Sequence, residues 1–281
     1  TIGRRCAVVM DELVPAQNSG ASYFCGAMYL HGQDTEAGNQ LNNASYKKIT
    51  VGSLSSSGYR LTPTGSTRVG LPEIFAWEEC SDTVEIEAID IVHDGRVFLA
   101  NDVIENSDGT FRYEYAIYNL TSNDNVGSFS VPVPAGVVVT GAGFSDIHHH
   151  SGEPFTTNDW TASTSGGAVT WECGSFVNGS DVENPVRWAT MYNFWFTANA
   201  GPADVMAEVG VHKTGAFIDS SVRGPSGPSN PFDLNFDGCV NGGDLGIFLL
   251  YWGTASGDFN GDGMTDGADA GLFLGAWDSD C

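Results

Sequence analysis

Phe111-Arg112-Tyr113-Glu114-Tyr115-Ala116-Ile117-Tyr118 is the stretch on which the fold turns. Phe111, Tyr113, Tyr115 and Ile117 alternate with Arg112, Glu114, Ala116 and Tyr118, a period of two that belongs to a strand. Upstream, Val84, Ile86 and Ala88 alternate with Glu85 and Glu87, and the alternation then resumes in the opposite phase at Ile89 and Ile91. One extra residue in a strand shifts the phase in this way, so a bulge is expected near Ala88. Asp108-Gly109, between two apolar runs, is a hairpin signal. Further strands are expected at 21–30, 95–103, 128–133, 136–144, 168–173, 186–197 and 204–211. No stretch up to residue 222 sustains helical spacing for three turns. The fold class expected is mainly β, with a β-sandwich or jelly-roll body.

Outward from this body the text changes near residue 223. Gly224-Pro225-Ser226-Gly227-Pro228-Ser229-Asn230-Pro231 denies both helix and ladder. The organisation expected is a body at 1–222, a linker at 223–232 and a small α-helical domain at 233–281. The 281 residues carry 35 acids against 11 bases, a net charge of −24. So few Lys and Arg make no footprint for nucleic acid or for an anionic membrane surface. No apolar run approaches the roughly 20 residues that span a bilayer. The chain begins at Thr1, as expected either of a chain whose leader has been removed or of a fragment.

The tail repeats itself at a spacing of 25 residues. Asp233, Asn235, Asp237, Gly238, Asn241 and Asp244 align with Asp258, Asn260, Asp262, Gly263, Asp266 and Asp269. Both copies fit D-x-N-x-D-G-x5-D, the pattern of a calcium loop with Asp at its last position. A hard cation takes about six to eight oxygens. Positions 1, 3 and 5 turn side chains inward, Gly at position 6 permits the sharp turn, and Cys239 and Met264 at position 7 give a backbone carbonyl. Position 9 often acts through water, and position 12 closes the shell from the start of a helix. Apolar helices follow, with Leu245, Ile247, Phe248, Leu249 and Trp252 in one and Leu272, Phe273, Leu274 and Trp277 in the other. Two Ca2+ ions are therefore expected.

This tail resembles a bacterial type I dockerin. The resemblance covers the last fifty or so residues and implies calcium at Asp233, Asn235, Asp237, Asn241 and Asp244, and at Asp258, Asn260, Asp262, Asp266 and Asp269. Where such modules usually carry hydroxyl residues to meet cohesin, this chain has Gly242-Gly243 and Gly267-Ala268, and its helices have no basic residue. The resemblance thus implies docking without implying that partner. The body, in 111–120, 128–136 and 188–196, looks like the domain that precedes such tails in large secreted or surface proteins of aquatic bacteria.

Within the body, Asp146, His148 and His150 would share a face of a strand, with Glu153 following, and two imidazoles and a carboxylate could bind zinc or copper. Trp77, Trp160, Trp171, Trp188 and Trp195 could form a sugar-stacking platform, although alternating aromatics are more often core. Glu78, Glu79 and Glu183 supply carboxylates of the kind a glycosidase needs in pairs. No G-x-S-x-G, H-E-x-x-H, P-loop or dinucleotide fingerprint is present. Sequons begin at Asn43, Asn119 and Asn178. The six cysteines lack a C-x-x-C pair, and their scatter points to an oxidising compartment. The bridges expected are Cys239–Cys281, which would fasten the two repeats, with Cys6–Cys25 and Cys80–Cys173.

The function expected is that of an extracellular or cell-surface structural protein, calcium-stabilised and not an enzyme. Its partner would be another protein or further copies of itself, as a subunit of a surface assembly or filament, with glycans as a further ligand class. The alternative is a carbohydrate-active or carbohydrate-binding protein anchored through its tail.

Overall fold

The computed structural model describes residues 8–29, 31–56, 58–147, 155–178, 182–227, 230–235 and 239–277. The protein is mostly β, with three antiparallel sheets. In the first, β1 (Tyr23–Met28), β2 (Ala44–Ser55) and β3 (Gly58–Pro63) lie in that order, with β4 (Arg68–Val69) also on β2. A one-turn helix, α1 (Gly32–Glu36), joins β1 to β2. The second has the order β5 (Glu85–Ile91), β6 (Gly95–Glu105), β7 (Phe111–Asn119), β12 (Met191–Ala198), β9 (Val139–Ser145). The third has the order β10 (Thr161–Ser163), β11 (Ala168–Glu172), β8 (Val126–Pro132), β13 (Pro202–Val211), β14 (Phe217–Pro225).

The second and third sheets share one aromatic core. Tyr115 meets Phe129 at 5.3 Å between ring centroids, and Phe194 meets both Phe129 and Trp171, at 5.3 and 5.5 Å. The period of two is plainest in β12, where Tyr192, Phe194, Phe196 and Ala198 are buried and the residues between them are not. The β6–β7 hairpin forms where Asp108-Gly109 placed it. Gly109 takes φ +83°, and the Asp108 carboxylate accepts from the backbone and hydroxyl of Thr110.

The expected bulge at Ala88 is absent. Register runs unbroken from Glu85 opposite Asn101 to Ile91 opposite Gly95. The phase changes because this sheet is covered on both faces. Ile89 and Ile91 enter the core shared with the third sheet. Ile86, with Phe98, Ala100, Ala116 and Tyr118, packs on the other face against Ala44, Ile74 and Phe75. Ile74 and Phe75 belong to a 3-10 segment, Glu73–Glu79. The strand expected from residue 186 starts only at Met191, because Ala189 sits at φ +55° and Val186 makes an isolated bridge to Val126. Strands β2, β3, β4, β10 and β14 were not expected. The last runs to Pro225, three residues into the expected linker, where a Cβ on Gly224 would stand 2.4 Å from Val205.

The tail contains α2 (Gly242–Leu250) and α3 (Gly267–Gly275). They pack through Phe248 and Phe273, stacked at 5.2 Å, into a separate small core with Val240, Phe232, Leu234 and Phe259. Among the described residues no helix is long and apolar enough to cross a membrane.

Candidate functional site

Each helix of the tail is started by its own loop. Asn241 and Asp266 are the N-caps, accepting from Gly243 and Ala268, and Asp244 and Asp269 complete a capping box three residues on. Asp244 and Asp269 are both 0% exposed. Asp244 Oδ1 accepts from the amides of Leu234 (2.7 Å) and Asn235 (3.0 Å), and Oδ2 from Asn241 (2.9 Å). Asp269 does the same with Phe259 (2.8 Å), Asn260 (3.0 Å) and Asp266 (2.9 Å). The equivalent bonds agree to 0.1 Å, so the repeat in the text is a repeat in geometry. Backbone N–H donors, first among them that of Asp266, hold the Asp269 carboxyl below the usual carboxylate range.

The second loop is described throughout. Asp258 accepts from the amides of Gly261, Asp262 and Gly263. Asn260 donates to Asp262 Oδ2 at 3.0 Å and accepts from the Asp262 amide at 2.8 Å. Asp258, Asn260 and Asp262 thus bond to groups within the loop, and Gly263 takes φ +99°. Asp266, at position 9, caps α3, and Met264 stands at position 7 with its side chain exposed. In the first loop Asp233 is buried, and Asn235 lies 2.8 Å from where a Cβ on Gly243 would stand, so glycine at position 11 makes room for it. Asp237 and Gly238 lie outside the described residues. Among the described residues no three His, Cys, Asp or Glu side chains are gathered ready to hold a metal.

Cys239 is disulfide-bonded, and Cys281, its expected partner, lies outside the described residues. The other two expected bridges do not form: Cys25 and Cys80 are free thiols. Cys80 lines a cleft on the outer face of the second sheet, whereas Cys173 packs against the core from the third, so the core separates them.

His148, His150 and Glu153 lie outside the described residues. The five tryptophans fall in three places. Trp160 and Trp171 are core, Trp188 is 47% exposed, and Trp77 and Trp195 line the cleft. That cleft, of about 670 Å3, lies between the 3-10 segment and the outer face of the second sheet, with Phe24, Glu73, Trp77, Arg112, Glu114 and Trp195 in its wall. Arg112 lies over the Trp195 ring at 5.2 Å and donates to Glu114 at 2.7 Å. A Cβ on Gly143 would fall 2.3 Å from the same indole, so glycine lets it lie flat across β9.

Glu73 was missed in the sequence, where nothing marks it apart from its neighbours. Burial raises its carboxyl, Tyr118 donates to it, and it presses on Gly26, which lacks the Cβ that would exclude it. Glu79 is held ionised by Arg68, at 2.8 Å, and by Tyr46, whose hydroxyl burial and Glu79 push up to about 12. It is an ion-pair partner and not a free acid or base. Asn119 is 0% exposed and its amide donates to the carbonyls of Ser122 and Val186, so this sequon is closed to a glycan. No protein-family model, curated protein or solved structure matches the chain.

Proposed function

We propose that the protein is an extracellular structural subunit: a β-sandwich body with a calcium-binding, dockerin-like tail that docks on another protein, further copies of itself included. The observation that carries this reading is the surface of the tail helices. They bury Phe248 and Phe273 but leave Leu249, Leu250, Leu272 and Leu274 exposed, Leu250 at 79% and Leu274 at 58%, and Trp252 and Trp277, just past their ends, are exposed as well. A module of some fifty residues gains little by presenting so many large apolar side chains to water, and patches of this kind mark contact surfaces.

The donor set supports calcium. Both loops offer oxygen and no soft ligand: carboxylates from Asp233, Asp237, Asp258 and Asp262, carboxamides from Asn235 and Asn260, and carbonyls from Cys239 and Met264. Asp244 and Asp269 draw each loop onto the start of its helix, and a carboxylate has about four acceptor sites, so three amide bonds leave room for one more partner. Bound calcium would neutralise the carboxylates of each loop and hold the two helices in one pose. Sedimentation of the full chain tests the reading. Assembly should be seen with calcium and lost with chelator or in Leu250→Asp; a chain monomeric at high concentration with calcium present would overturn it.

One observation favours a second reading, a carbohydrate-binding body. The 670 Å3 cleft combines indole and phenyl walls with an internally neutralised Arg112–Glu114 pair and a carboxyl, Glu73, whose ionisation burial opposes. Its size suits a small ligand, and its mixture of flat apolar walls with donors and acceptors suits a neutral sugar. Saturable quenching of tryptophan fluorescence by neutral disaccharides, lost in Trp195→Ala, would establish it.

A further inference from the structure

Residues 37–72 contain no Asp or Glu and four bases, Lys47, Lys48, Arg60 and Arg68, in a chain whose net charge is −24. They form the longest acid-free stretch of the chain, and three of the four strands of the first sheet, β2, β3 and β4, come from it. One face of that sheet is taken up by the fold. Ala44 packs with Ile74, and the Tyr46 hydroxyl donates to the Phe75 carbonyl at 3.3 Å and to Glu79 at 3.0 Å. The register fixes what stands on the other face. Ser45, Lys47, Ile49 and Val51 share it along β2, and Val69, Pro63 and Leu61 lie opposite Ser45, Ile49 and Val51. Past a bulge, Leu54 lies opposite Tyr59, which is two residues from Leu61 and so on the same face. Ile49 is buried, but Leu54, Leu61 and Val69 are exposed, Val69 at 79%. Arg68 is paired with Glu79 at 2.8 Å, whereas among the described residues neither Lys47 nor Arg60 makes an ion pair.

We propose that this outer face of the first sheet is the seat on which the tail of a second copy docks, so that copies join head to tail. Such docking rests on the reading of the tail as a docking module and names the surface that the tail meets. From Pro231 to Cys281 the tail has nine Asp and no Lys, Arg or Glu, a charge of −9 that two calcium ions would reduce to −5. Tail against tail would set like charge on like, and the rest of the body, outside 37–72, has 26 acids against 7 bases. Residues 37–72 carry +4 and offer the tail an opposite charge together with an apolar row to match Leu249, Leu250, Leu272 and Leu274. Complementary charge orients and speeds the encounter, and the apolar side chains buried in the contact supply the affinity. The two surfaces that meet differ, so the contact is heterologous. Each pair leaves one tail and one seat unused, and assembly runs on into a ring or a filament. Phe24, which lines the 670 Å3 cleft, lies opposite Lys48 on the other face, so docking leaves that cleft open.

The test is sedimentation of full-chain variants with calcium present, each first shown by circular dichroism to fold as the parent does. Leu61→Asp and Val69→Asp, at exposed positions, disable the seat, and Leu250→Asp disables the tail. Each should associate about tenfold or more weakly than the parent, because a carboxylate then faces an apolar surface. Lys47→Glu should weaken association less, by a factor that shrinks at about 1 M salt. An equimolar mixture of Leu61→Asp and Leu250→Asp chains brings the intact tail of the first to the intact seat of the second, and should give dimers and nothing larger. If Leu61→Asp and Val69→Asp assemble as the parent does, or the mixture stays monomeric, the tail docks elsewhere: the proposal is overturned and the docking tail stands. A parent chain that is itself monomeric with calcium overturns the docking tail and the proposal together.

Discussion

Glu73 joins a wall of the larger cleft to the packing on the second sheet's outer face. Burial raises its carboxyl in the folded chain, opposed first by its own backbone amide and then by Tyr118. Its contribution to folding is therefore fully present below the ordinary glutamate value, about pH 4.3, and is lost as pH rises through the raised folded value. Glu73→Gln cannot ionise and keeps an oxygen for Tyr118. Its melting temperature should gain on that of the parent between about pH 4 and pH 7. A gap between the two that is constant across this range would show that ionisation at Glu73 plays no part. Phe194 gives the contrast of a residue whose role is packing, because it touches Phe129, Phe144, Trp160 and Trp171. Phe194→Ala should cost about 3–5 kcal/mol in denaturant unfolding, with little dependence on pH.

At the scale of elements, the two helices of the tail are short, and their first turns carry much of their definition. Removing the N-cap in Asn241→Ala should cost about 1 kcal/mol of tail stability. Asp269 titrates in the opposite sense to Glu73. Its carboxyl is lowered, by backbone donors first, so its contribution is present above the ordinary aspartate value and is lost as pH falls through the lowered one. Amide exchange at Phe259, Asn260 and Asp266 should therefore quicken together below about pH 4; three amides that exchange independently would break the account of one carboxylate holding all three. In the β elements, legibility followed burial. Strand β12 alternates in the text because one face is core, whereas β14, with Asp219, Ser220 and Ser221 in its middle, presents no period and was passed over.

At the scale of the whole molecule there are two kinds of core. The body buries a continuous aromatic cluster from two sheets, and the tail buries Val240, Phe248 and Phe273 with a few half-buried neighbours. So small a core needs a staple, and a disulfide at Cys239 together with calcium would supply two. Calorimetry of the full chain should resolve two transitions, of which calcium moves one. At about a hundred times the dissociation constant, calcium should stabilise the tail by roughly 2.7 kcal/mol and leave the body unchanged. A single transition, or a body that also shifts, would contradict the division into two units.

What the sequence by itself determined is what local spacing encodes. Alternation named most of the strands, Asp108-Gly109 placed a hairpin, and the repeat of 25 residues placed two loops, each opening a helix with Asp244 or Asp269 at its start. These depend on residues a few positions apart, which the chain holds together however it folds. Only the tertiary structure decided which faces are covered and which distant groups meet. The phase change at Ala88 came from a second layer on the sheet, not from a bulge. Glu73 against Gly26, Trp195 over Gly143 and Cys173 beside His212 each join segments far apart in the text. In each, the side chain is seated where a glycine lacks a Cβ, a complementarity that exists only once the sheets have assembled.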